Sequence, residues 1–501
     1  MDGGERLPDE EPQDDTKVRW AAGAFDGVGA YHGNWAGQSE KVETVFEALK
    51  ASLARAEKGR VLALYNLLKA EGAIALVDPT LDRIRKGVKD KSMDAGRLWR
   101  LAHWIARQAP DREPVKFAMA ILGMFTGPDH RRTLITLGRH DEFTLYAAVA
   151  IGNTFEDPEV SLWELAKGVD GWGRVHSVER LAKIASRPEI KQWLLVDGYK
   201  NSVMIEYLAA SCAKGGGLVD ALREEAPADS ILAGAAEILD ALVAGEGGPF
   251  ESLRALPDGP EIVRRYLDHV KAHGKALEHY ITAHALNQWA EEDDPSDEPE
   301  DAAVPAWPSE VRSAIRRACH EILEDPGWEL RTREALKAED RMLFAQADRA
   351  AKLMGIDTWP IHMDLLMQGK GESWWSVTCT KDPARMAQVV ALAEDRLPLE
   401  ELATGPDIKI WGGAMNQEFS ALDFILQSLG AFPGLGWPLV RTGLQSPVIR
   451  ARNMAVKTLK EWGRAQWPVE APTLVQQALA IEPHPDTRQS MEDLMKVEPG
   501  Q

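Results

Sequence analysis

The sequence predicts an all-α protein, a HEAT/armadillo-like α-solenoid of stacked helical hairpins, on three observations. First, Ser446–Trp462, SPVIRARNMAVKTLKEW, reads as the second helix of such a repeat. Pro447 suits a first helical turn, where a missing N–H costs little, and Val448, Ile449, Ala451, Met454, Ala455, Thr458, Leu459 and Trp462 form an apolar stripe. Second, degenerate copies of this grammar, a polar start followed by an apolar run at helical spacing, recur along the chain, as stacked repeats require. Third, runs of β-branched residues with alternating polarity are missing, so almost no sheet is expected. The 501 residues also exceed the size at which one hydrophobic core stops growing, roughly 250–300 residues, which calls for several domains or an elongated array.

Taken in order, Met1–Thr16 is acidic and Pro-containing with too little apolar content to pack, and is expected to be a disordered acidic tail. Residues 17–290 then form an N-terminal helical-repeat region. Ser39 is a candidate cap for a helix with Val42, Val45, Phe46, Leu49 and Leu53 at helical spacing. Arg60–Leu76 supplies a hairpin partner, Pro79 and Gly87 punctuate, and Met93–Gln108 turns Leu98, Leu101, Ala102 and Ile105 inward. Asp111–Phe125 and Asp141–Gly152 repeat the pattern, followed by shorter helical pieces at Pro188–Val196, Asn201–Ala213, Leu218–Glu224 and Ser230–Ala244. Residues 291–308, EEDDPSDEPEDAAVPAWP, combine charge repulsion with prolines that cannot sit inside a helix, and read as an acidic linker or long loop. A C-terminal HEAT-like region, 309–501, resumes with helices at Ser309–Leu323, Leu330–Met354, Pro383–Asp395, Asn416–Leu429, Ser446–Trp462, Ala471–Ile481 and Asp486–Met495.

The net charge of −20 is concentrated, since Met1–Thr16 and Glu291–Asp301 together hold −14 of it. The rest of the chain is mildly acidic without a basic stripe, which argues against a nucleic-acid partner, because such binding rests on Lys and Arg neutralising phosphates. Cys212, Cys319 and Cys379 are widely spaced and never form CxxC, so neither a disulfide framework nor a zinc knuckle is suggested. The first residues lack the basic start and apolar core of a secretory signal, and no long apolar run could span a bilayer. A cytoplasmic protein without membrane insertion is expected.

Histidines cluster in Tyr266–Trp289, YLDHVKAHGKALEHYITAHALNQW, and invite a metal reading. On one continuous helix His269, His273 and His284 share a face, but His269 and His284 would then lie about 22 Å apart along the axis and could not share an ion. His269 and His273 lack a third ligand and the glutamate of HExxH, so a solvated or partly packed helical face is the better account. His103, the pair His140–Asp141 and Asp197 vaguely resemble the ligand order of HD-type phosphohydrolases, yet Asp141 is more simply a helix N-cap. Nucleotide, dinucleotide and haem-thiolate motifs, and the GxSxG nucleophile elbow, are absent from the sequence. No cofactor and no catalytic residue is expected.

The richest mixture of aromatic, cationic and carboxylate side chains is Gly171–Arg180, GWGRVHSVER, with Lys200–Tyr207, KNSVMIEY. Trp172, Arg174, His176, Glu179, Asn201 and Glu206 are candidates for a partner-binding surface, although a buried polar network would use the same residue types. The stretch Trp172–Ala213, with LQSPVIRARNMAVKTLKEW near the C-terminus, resembles a group of bacterial helical-repeat proteins often called limonene hydroxylase. That resemblance covers most of Asp141–Trp462 and implies helical repeats. Its name implies a monoterpene oxygenase, which would need a flavin, haem or metal whose site is not legible here. The sequence thus predicts a protein-interaction scaffold with a protein partner. An enzyme, either that hydroxylase or a metal-dependent hydrolase, is the alternative.

Overall fold

The computed structural model describes residues 6–12, 14–33, 39–55, 57–128, 130–248, 250–292, 307–370 and 373–496. Among them the fold is all-helical, with no strand and one isolated parallel bridge between Lys409 and Val448. Among the described residues no helix is long and apolar enough to cross a membrane. The chain forms two compact units, one of residues up to Glu11 with Trp20–Met354, the other of Pro12–Arg19 with Gly355–Gln501. The acidic segment 291–308 falls inside the first unit by this grouping, and its residues 293–306 lie outside the described ones.

The first unit contains α1 (Ala24–His32), α2 (Ser39–Ala54), α3 (Lys58–Glu71), α4 (Val77–Lys89), α5 (Ala95–Gln108), α6 (Arg112–Leu122), α7 (Arg131–Gly138), α8 (Asp141–Thr154), α9 (Pro158–Lys167) and α10 (Trp172–Ala182). It continues with α11 (Pro188–Trp193), α12 (Glu206–Gly216), α13 (Leu218–Arg223), α14 (Asp229–Ala244), α15 (Gly259–His273), α16 (Leu277–Glu291), α17 (Ser309–Leu323), α18 (Gly327–Ala335) and α19 (Arg341–Leu353). Every second helix packs on the next but one: α6 on α8, α8 on α10, α10 on α12, α12 on α14 and α14 on α16. A parallel row runs α13, α15, α17. Close approach along the first row depends on small residues. A Cβ on Gly173 of α10 would stand 2.3 Å from Asp141 Oδ1 and 2.5 Å from the Thr144 hydroxyl of α8.

The second unit contains α20 (Trp359–Met367), α21 (Trp374–Thr378), α22 (Pro383–Arg396), α23 (Leu399–Leu402), α24 (Asn416–Leu429), α25 (Trp437–Leu444), α26 (Ile449–Trp462), α27 (Ala471–Ile481) and α28 (Pro485–Lys496). Here too α24 packs on α26 and α26 on α28, beside a row of α23, α25 and α27. Ala451, Ala455, Leu459 and Trp462 of α26 are buried in one core with Leu422, Leu426 and Leu429 of α24. Polar side chains reinforce that seam, since Thr458 Oγ1 donates to the Leu426 carbonyl at 2.7 Å and Trp462 Nε1 to the Leu429 carbonyl at 2.7 Å.

Several local expectations are corrected. Pro447 lies before α26 rather than in its first turn, because Val448 is extended and bridges to Lys409. Pro79 does not interrupt the chain; it sits in the first turn of α4, where the N–H it lacks would have had no partner in the helix. The run 330–354 is two helices, because Asp340 accepts from Leu343 N at 2.8 Å and caps a new start. Likewise Gly274 ends α15 between His273 and His284. His140 rather than Asp141 is the N-cap of α8, its Nδ1 accepting from Glu142 N at 3.2 Å. The expected acidic tail is described at residues 6–12 and 14–16, where Asp9 Oδ2 accepts from Arg112 N at 2.9 Å and the Asp15 carbonyl accepts from Ile410 N at 2.7 Å.

Candidate functional site

The site is built by two helices whose apolar stripes are wider than their packing partners cover. Helix α3 buries only Leu64 and Leu68, and α5 buries Leu98, Ala102, Ile105 and Ala106. Both helices rest on α6, and α3 also on α2. The remaining apolar positions, Val61, Leu62 and Tyr65 on α3 with Leu101 and Trp104 on α5, face an open groove of about 670 Å³ closed at one end by Pro110 and Asp111. Leu62 is 52% exposed and Trp104 53%. A groove of this size, apolar with a few polar groups at its rim, has the form of a recognition site.

The polar rim is set by local chemistry. The Tyr65 hydroxyl donates to Asp111 Oδ2, and the Lys69 ammonium lies 2.9 Å from Asp111 Oδ1. Burial and then the bond to Asp111 push the Tyr65 phenol up to about 12, so it stays a donor at neutral pH. Burial alone would raise Asp111, but the bonds from Tyr65 and Lys69 outweigh it and hold the carboxylate below its ordinary value. Lys58 lines the opposite end of the α3 stripe.

Of the residues expected to bind a partner, Trp172, Arg174 and His176 on α10 are buried. The Trp172 ring lies against His176 and Tyr207, with centroids 5.9 and 4.9 Å away. Its other contact is α1, where a Cβ on Gly27 would come within 2.2 Å of the indole. Arg174 Nη2 donates to the Asp197 carbonyl at 2.6 Å and to Oδ2 at 2.8 Å. Burial, with the Arg180 charge added, lowers the His176 imidazole to about 3 and keeps it neutral. Asn201 is not helical; its amide bonds the backbone of Tyr199, Val203 and Met204 and closes its own loop. Glu179 pairs with Lys183 at 3.4 Å, and Glu206 opens α12, half-buried.

The histidines of the metal reading are separately engaged or apart. His269 Nε2 meets the Leu222 carbonyl at 2.9 Å, and the neighbouring His279 Nδ1 meets the Tyr266 hydroxyl at 3.0 Å. His103 stacks on Trp99, and Asp197 is held by Arg174. Among the described residues no three His, Cys, Asp or Glu side chains gather closely enough to hold a metal ion. Neither a protein-family model, nor a curated protein, nor a solved structure matches the chain.

Proposed function

We propose that this chain is a HEAT-like α-solenoid acting as a protein-interaction scaffold, and that the α3–α5 groove is where it holds a protein partner. The repeat architecture is supported by the row α6, α8, α10, α12, α14, α16 in the first unit and by α24, α26, α28 in the second, in which each helix packs on the next of its row as stacked hairpins do. The observation that carries the docking role is the groove itself, with Leu62 and Trp104 presented to solvent on adjoining walls. A large aromatic in an apolar depression is the commonest anchor of protein interfaces. Of the residues 172–206 expected to meet a partner, Glu179, Asn201 and Glu206 keep part of their surface open to one.

Affinity capture from the native cell with the intact chain and with a Leu62→Ser/Trp104→Ser variant, quantified by mass spectrometry, tests this. A protein retained by the intact chain and lost from the variant at unchanged melting temperature is the expected result. Equal recovery on both would remove the groove from the account.

A further inference from the structure

The charges around the groove specify its occupant more closely than its apolar floor does. Helix α5 carries Arg97, Arg100 and Arg107 and no acid, and α3 carries Lys58, Arg60 and Lys69 against Glu71 alone. Two of the acids at the edges neutralise cations of this same set, Asp111 pairing with Lys69 and Glu57 with Arg60, so the excess positive charge rests on Lys58, Arg97, Arg100 and Arg107. Asp94 caps α5 through Arg97 N at 2.7 Å, Asp111 is held by Tyr65 and Lys69, Glu71 pairs with Lys41, and Glu57 pairs with Arg55 and Arg60. A chain of net charge −20 has therefore assembled a locally basic rim around an apolar depression.

The spacing of these groups is that of a helix bed. Lys58 and Lys69 bracket the Val61–Leu62–Tyr65 stripe and stand about 16 Å apart along α3 at 1.5 Å per residue. Arg100 and Arg107 flank Trp104 at i−4 and i+3, on the same face of α5. We infer that the groove binds an acidic amphipathic helix of about three turns, its apolar stripe laid on Leu62, Leu101 and Trp104 and its carboxylates facing Lys58, Arg100 and Arg107. This rests on the docking role proposed above and names the chemistry of the partner. An apolar floor with cationic flanks is the complement of such a helix, which presents anchors at i, i+3 or i+4 and i+7. A single nucleic-acid strand could stack on Trp104 or Tyr65, but the aliphatic Val61, Leu62, Leu101 and Pro110 between and beside them suit the apolar face of a helix better, and the oligonucleotide probe below separates the two.

The test is fluorescence anisotropy on the full chain with four labelled probes. These are an 18-residue helical peptide with Leu and Trp on one face and Glu on its flanks, the same peptide with Lys for Glu, a scramble that spreads the apolar residues around the helix, and a single-stranded oligonucleotide. The Glu peptide is expected to bind at least tenfold more tightly than the other three and to weaken as salt is raised. In an Arg100→Glu/Arg107→Glu variant that preference should invert toward the Lys peptide, an outcome that mere unfolding cannot produce. Equal binding of Glu and Lys peptides, tighter binding of the oligonucleotide, or no binding of any probe overturns the inference. If any of these occurs while the Leu62→Ser/Trp104→Ser variant still loses its captured protein, the groove keeps its role and only the acidic-helix assignment falls.

Discussion

Arg452 and Glu482 face each other with no exposed surface on either side chain, Nε to Oε2 at 2.7 Å and Nη2 to Oε1 at 2.8 Å. The remaining guanidinium bonds go to the Ser446 and Asp407 carbonyls, so the pair ties α26 to the chain on both of its sides. Breaking such a pair leaves one charge buried without its counterpart. Arg452→Met alone and Glu482→Gln alone should each cost about 3–5 kcal/mol. The double variant Arg452→Met/Glu482→Leu should recover most of that loss in urea denaturation, and no recovery would show that the carbonyl bonds of Arg452, not its pairing, hold the segment.

A similar logic applies to Lys116 in the first unit, whose Nζ lies 2.8 Å from Asp26, 2.8 Å from Glu113 and 2.7 Å from Glu142. Burial raises the Asp26 carboxyl although Lys116 opposes it, while Lys116 outweighs burial at Glu142 and holds that carboxyl below its ordinary value. The cluster fastens α1, α6 and α8. Lys116→Met should destabilise by on the order of 3–5 kcal/mol because three carboxylates lose their only shared cation. A near-neutral result would mean that the carboxylates take up protons at little cost and that the lysine is dispensable.

Asp423 gives the second unit a pH dependence of defined sign. Burial pushes its carboxyl up to about 7, and Arg450, 3.2 Å away, offsets this only in part. In the unfolded chain the group titrates at its ordinary value of 3.8, so the folded state binds the proton more tightly. Its stabilising contribution is complete below about pH 4 and is lost as pH rises through 7. Asp423→Asn should therefore match the parent in melting temperature at pH 4 and exceed it at pH 8. Parallel melting curves for the two proteins across this range would contradict the burial effect.

Long, periodic helices were legible from residues alone. Ser309–Leu323, Asn416–Leu429 and Ala471–Ile481 span the ranges their apolar spacing predicts. What periodicity does not encode is which apolar positions find a neighbour. Met454 and Leu459 share the predicted stripe of α26, yet Leu459 is fully buried and Met454 only partly. Leu459→Ala should thus cost about 2–5 kcal/mol and Met454→Ala clearly less, a difference readable in chemical denaturation. The groove was hidden for the same reason. Trp104 and Leu62 look like core residues in a sequence, yet both are about half exposed, because α3 and α5 bury only part of their apolar surface against α2 and α6. Conversely, the polar mixture at Trp172, Arg174 and His176 reads as a surface but is engaged in packing α10 against its neighbours. The signal that was available is the surplus of apolar positions on α5, where Leu101 and Trp104 widen a stripe already filled by Leu98, Ala102 and Ile105.

The proposed docking of a protein partner in the groove is tested most directly by a photoreactive amino acid placed at position 62 or 104, with position 330 of the same unit as a control at least as open to solvent. Irradiation in the native cell should give one discrete crosslinked protein from positions 62 and 104 and none from 330. Crosslinks that are absent from the groove positions, or that are the same from position 330, would contradict the account.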